Sequence, residues 1–79
     1  MPLTPRQAQA LTAVAADGAT LATAARDLGI TREQVASLLN GAYRRLDVAY
    51  LPRDEKRPAA IAVARRKGLI PPAEQEQAA

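Results

Sequence analysis

The stretch Ala24-Ala25-Arg26-Asp27-Leu28-Gly29-Ile30-Thr31-Arg32-Glu33-Gln34-Val35 decides how this chain folds. Ala24, Ala25 and Leu28 recur at the spacing of one helix face, and Gly29 supplies the left-handed residue that ends a helix. Thr31 and Gln34 then form a capping box, so a new helix starts at Arg32. Only Gly29, Ile30 and Thr31 separate the two helical patterns. Two amphipathic helices joined through one glycine and one apolar residue have the pattern of a helix-turn-helix. An ordinary corner between two helices of a small bundle has the same local pattern.

The second helix continues far downstream. Val35, Leu39, Ala42 and Leu46 repeat at i, i+4, i+7 and i+11, one face of a helix over about 32–46. Gly41 inside it costs roughly 1 kcal/mol relative to alanine, which is consistent with a close approach, a bend or no special role there. Upstream, Thr20 caps a helix over about 21–28. Before it, Thr4-Pro5-Arg6-Gln7 is a further capping box with proline at the first helical position. Ala10, Leu11 and Val14 give that first helix its apolar face, and Asp17-Gly18 ends it, so it spans about 5–16. Downstream, residues 47–56 are expected as a loop, with Pro52 blocking helix continuation. Pro58 is expected to start a fourth helix that carries Ile61 and Ala64 inward and ends at Lys67-Gly68. Leu69-Ile70 folds back as an apolar clasp, and residues 71–79 form a frayed or disordered tail. The expected class is all-α, a four-helix domain over residues 1–70.

Composition agrees with helices in close contact. Alanine supplies 19 of the 79 residues, and the chain has no Cys, His, Trp or Phe. A chain this short buries roughly 60–65% of its unfolded surface, and small side chains let helices approach closely. The missing residue types exclude a zinc finger, a thiol nucleophile, an imidazole base and a disulfide scaffold. The acids Asp17, Asp27, Asp47, Asp54 and Glu55 form no paired catalytic site, so no enzyme is expected. No apolar run has the length of a membrane span and the start lacks a signal-peptide region, so a cytoplasmic protein is the default.

Charge is uneven. Residues 32–67 hold nine Arg or Lys against Glu33, Asp47, Asp54 and Glu55, within a whole-chain net charge of +3. A basic middle points to a polyanion, and a mixed, solvated surface has the same composition. On a helical wheel the face opposite Val35/Leu39/Ala42/Leu46 carries Glu33, Ser37, Asn40 and Arg44, flanked by Gln34 and Ala36.

Several stretches together resemble the LuxR/NarL/GerE-type helix-turn-helix domain: Leu3-Thr4-Pro5-Arg6-Gln7, Ala24 to Thr31, Ala42-Tyr43-Arg44-Arg45-Leu46-Asp47-Val48, and Ala62-Val63-Ala64-Arg65-Arg66-Lys67-Gly68-Leu69-Ile70. The resemblance covers about residues 3–70. It implies a bacterial four-helix DNA-binding domain whose third helix enters the major groove of double-stranded DNA. No sensor domain accompanies it, so a stand-alone regulator is expected, with a homodimer or a second regulatory protein as partner and no cofactor or small-molecule ligand. Helix 4 is the implied dimer face, through Ile61, Val63 and Arg66.

The expected DNA-binding residues are Thr20, Thr31, Arg32, Glu33, Gln34, Ser37, Asn40, Arg44 and Arg45. Gln34 and Asn40 suit adenine, and Arg32 or Arg44 suits guanine. Thr20 and Thr31 sit at helix N-termini, where N–H groups meet phosphates. Capping is the alternative role for Gln34 and both threonines. Arg53, Lys56 and Arg57 grip the backbone or are simply solvated. Several positions depart from the resemblance: Glu33 and Ala36 stand where that family tends to have lysine, and Leu21-Ala22-Thr23 and Leu38 where it tends to have polar residues. Leu21, Leu38 and Tyr50-Leu51 are either core or exposed docking points. A second reading therefore stands beside the first, a helix-turn-helix turned to protein binding as an adaptor or anti-regulator docking on a transcription factor or polymerase subunit.

Overall fold

Three reciprocal side-chain caps start three of the four helices. In a computed structural model that describes residues 3–71, α1 spans Pro5–Ala15, α2 Leu21–Leu28, α3 Arg32–Arg45 and α4 Arg53–Arg66, with no strand among the described residues. At α1 the Thr4 hydroxyl accepts from the Gln7 N–H at 3.1 Å, and Gln7 Oε1 accepts from the Thr4 N–H at 3.1 Å. Thr20 and Thr23 close the same box on α2, and Thr31 and Gln34 on α3. Each box satisfies two N–H groups that a helix start otherwise leaves unpaired. The chain is all-α, as its periodicity requires.

The turn between α2 and α3 is closed by backbone alone. Gly29 takes φ 70° and ψ 32°, the Ile30 N–H donates to the Ala25 carbonyl at 3.0 Å, and the Gly29 N–H donates to Arg26 at 3.3 Å. That pair of bonds satisfies two of the last four carbonyls of α2, those of Ala25 and Arg26, and turns the chain sharply into Thr31. The end of α3 repeats the geometry with a different residue. Asp47 adopts φ 60°, and the Val48 N–H donates to the Tyr43 carbonyl at 2.9 Å. Val48 is thereby folded under the helix and is buried.

The core is thin and alanine-rich. Leu11 and Val35 are its largest fully buried side chains, and Ala10, Ala24, Ala42, Ala60 and Ala64 are wholly excluded from solvent. α1 packs on α2, α3 and α4, and α3 packs on α2 and α4, while α2 and α4 do not touch. The gap between α2 and α4 is an open groove. Leu69 and Ile70 close the far end as the sequence suggests: the Leu69 N–H donates to the Ala64 carbonyl at 2.8 Å and Ile70 is buried.

The beginning of α4 corrects the sequence reading. The expected loop over 47–56 is shorter, and the helix starts at Arg53 rather than Pro58, which lies inside it. Pro52 is the N-cap with extended backbone, and no side chain caps the helix. Asp54 and Glu55 occupy the first turn, where carboxylates oppose the positive end of the helix dipole. Pro58 has no N–H for the Asp54 carbonyl, but it is exposed, so water can satisfy that oxygen. α3 ends at Arg45, with Leu46 as its cap. The expected tail begins with Pro71, which is exposed and outside any helix; its remainder, 72–79, lies outside the described residues.

Candidate nucleic-acid interface

α3 has two faces with opposite chemistry. Val35, Leu39, Ala42 and Tyr43 are buried inward. Glu33, Ser37, Asn40 and Arg44 are all exposed, and their spacing of 4, 3 and 4 places them on one stripe of a 3.6-residue helix. Fourteen residues give a rod about 21 Å long, with Arg32 at its first turn and Arg44 and Arg45 in its last. Arg44 and Arg45 lie favourably at the negative end of the helix dipole as well as supplying cations to the surface. The burial pattern thus separates positions that hold α3 in place from positions that meet solvent.

The N-terminal residues serve the fold directly. The Thr31 hydroxyl accepts from the Gln34 N–H at 3.1 Å, and Gln34 Oε1 accepts from the Thr31 N–H at 2.8 Å. Gln34 is therefore engaged as a cap through its oxygen, leaving its Nε2 as the outward donor. Paired reading of adenine needs both atoms, so that contact requires the oxygen to be shared or released. Thr20 is engaged in the same way: its hydroxyl accepts from the Thr23 N–H at 3.2 Å, and its N–H donates to Thr23 Oγ1 at 2.8 Å. Thr20 and Thr31 are nevertheless exposed at the starts of α2 and α3. Thr23, which completes the α2 box, is a residue that sequence reasoning missed. A threonine three positions after a threonine cap is the signal.

The apolar residues of uncertain placement mostly join the core. Leu21, Leu38 and Leu51 are half-buried and packed against it. Tyr50 is different, at 82% exposed in the α3–α4 turn. On α4, Ile61 and Val63 are half-buried against the core while Arg66 is exposed. Tyr43 was not singled out by spacing, yet it is buried and lines the groove between α2 and α4.

An exposed polar stripe on the second helix of a glycine-turned pair is the arrangement of a helix-turn-helix. Comparison with known families makes the assignment more specific. Residues 2–47, more than half of the chain, match the family model described as Sigma-70, region 4, and the chain belongs to that family. This is a helix-turn-helix DNA-binding family with a role in transcription, not an enzyme family. The match spans α1, α2 and α3 and stops before α4. No curated protein and no solved structure matches the chain. Among the described residues, no helix is long and apolar enough to cross a membrane.

Proposed function

We propose that this protein is a small transcriptional regulator that binds double-stranded DNA by placing α3 in the major groove. The observation that carries this reading is the outward stripe Glu33, Ser37, Asn40 and Arg44 on a helix whose other face is locked into the core. Asn40 pairs with adenine, Arg44 with guanine, and Glu33 accepts from a cytosine amine. Thr20 and Thr31 present helix N-termini to phosphates, with Arg32, Gln34 and Arg45 completing the contact surface. It acts in the cytoplasm. LuxR-type character rests on the opening Leu3-Thr4-Pro5-Arg6 in combination with the closing Arg65-Arg66-Lys67-Gly68-Leu69-Ile70, the latter beyond the matched residues. One domain of this size contacts little DNA, since specific interfaces usually bury about 1,000 Å² or more of protein surface. A homodimer through Ile61, Val63 and Arg66, or a second bound regulator, supplies the remainder.

Titration against random genomic duplex and a selected-sequence pool, at low and moderate salt, tests the reading. An enriched motif is expected, with log K falling as log salt rises. Absence of enrichment together with absence of binding at low salt overturns it. The adaptor reading keeps Glu33 and Ala36 as its support, with Leu21 and Leu38 half-buried beside them, as Ile61 and Val63 are on α4. A Glu33→Lys variant separates the two: non-specific DNA affinity rises if this face meets DNA, and partner binding falls if it meets a basic protein.

A further inference from the structure

The groove between α2 and α4 has a cavity volume of about 680 Å³ and is lined by both α3 and the first turns of α4. Leu39 and Tyr43 are its buried floor. Asn40, on the outward stripe of α3, stands on its rim, so the groove is continuous with the face proposed to read bases. Three cations, Arg53, Lys56 and Arg57, line the opposite side, with the single carboxylate of Asp54. Arg53 is exposed, while Lys56 and Arg57 are half-buried, as long cationic side chains are when protein covers part of the stem. Cations on one wall of a concave surface concentrate positive potential there. Residue 58 is a proline inside the helix, yet the turn carrying these cations remains helical from Arg53.

We propose that this groove seats a stretch of the DNA sugar–phosphate backbone beside the base pairs met by α3, with Arg53, Lys56 and Arg57 as its phosphate contacts. The inference rests on the DNA-binding reading and extends its footprint beyond the residues matched to the family, onto α4. An acidic peptide would satisfy the same charges. Continuity of the groove with Asn40 favours the polyanion that α3 itself meets.

The test compares two double variants of equal charge loss, Lys56→Gln/Arg57→Gln and Arg6→Gln/Lys67→Gln, on random and selected duplexes over a salt series. Each phosphate contact contributes about 0.9 to the slope of log K against log salt. The groove variant is therefore expected to flatten that slope by about 2 and to weaken both duplexes equally, because phosphate contacts carry no sequence information. The second variant, outside the groove, is expected to leave the slope nearly unchanged. If loss of the half-buried stems unfolds the groove variant, Asp54→Asn decides instead, and tighter binding of both duplexes is expected. Equal flattening by the two double variants, or unchanged binding in both the groove variant and Asp54→Asn, overturns the proposal while leaving α3 as the DNA-binding helix. Failure of the unaltered protein to bind DNA at low salt overturns both.

Discussion

Gln7 and Gly41 occupy the same point where α1 crosses α3. A Cβ built on Gly41 would lie 2.5 Å from Gln7 Nε2, and Gln7 is held there because its Oε1 caps the Thr4 N–H. A glycine in the middle of α3 is thus explained by a side chain from another helix, which itself serves a third group.

This relationship predicts coupling between the two positions. Gly41→Ala gains roughly 1 kcal/mol of helix propensity, but it displaces the Gln7 amide and loses half of a capping box of comparable worth. Alone, the substitution is expected to be close to neutral. In a Gln7→Ala background the displacement vanishes, and Gly41→Ala is expected to stabilise by about 1 kcal/mol. Denaturant melts of the four proteins measure the coupling; strict additivity would refute the contact.

Gly29 is a purely conformational requirement. Nothing lies within 4 Å of a Cβ placed on it, yet its φ is +70°. Gly29→Ala is expected to destabilise the domain by about 1–2 kcal/mol, the penalty for an ordinary residue in the left-handed region. Because this turn sets the angle of α3 against α2, DNA affinity should fall even under conditions where circular dichroism shows the fold to be fully populated.

Asp47 is the converse case. It holds φ 60° after α3 and places a carboxylate at the negative end of that helix. Asp47→Gly relieves both effects and is expected to stabilise by about 0.5–1 kcal/mol. A raised thermal midpoint is the expected result; a lowered midpoint would show that the carboxylate has a favourable role.

Pro58 interrupts the hydrogen-bond ladder of α4 at an exposed position. Pro58→Ala restores the bond to the Asp54 carbonyl and removes the ring's steric conflict, worth up to about 3 kcal/mol in a helix interior, less what the proline contributes by stiffening the unfolded chain. Net stabilisation of about 1–2 kcal/mol is expected by thermal or denaturant unfolding.

The helices α1, α2 and α3 were legible because their starts are written in local chemistry. A threonine cap fixes the first residue of each, with a glutamine three residues on at α1 and α3, and a glycine after an apolar stripe fixes the end of α2. The start of α4 has no such cap, so Pro58 drew the reading five residues too far along the chain. The cue lay in Asp54 and Glu55, whose value depends on the helix dipole, a weaker signal than a side-chain bond. The outward stripe of α3 followed from periodicity alone. The groove did not, because it forms between α2 and α4, elements that do not touch, and no local pattern reports a gap. Tyr43 was legible in principle: it follows Leu39 by four residues and Val35 by eight, at the edge of the same apolar face of α3.

On α3, the residues that fix its place and those that face outward are almost separate sets. Val35, Leu39 and Ala42 anchor the helix, while Ser37, Asn40 and Arg44 bear none of that packing. The outward letters can therefore be rewritten while the scaffold stays constant, and a library randomised at 33, 37, 40 and 44 should keep its folded fraction while its targets diverge. Gln34 is the exception. Its oxygen closes the box with Thr31, so at that one position a change of specificity would also be a change of stability.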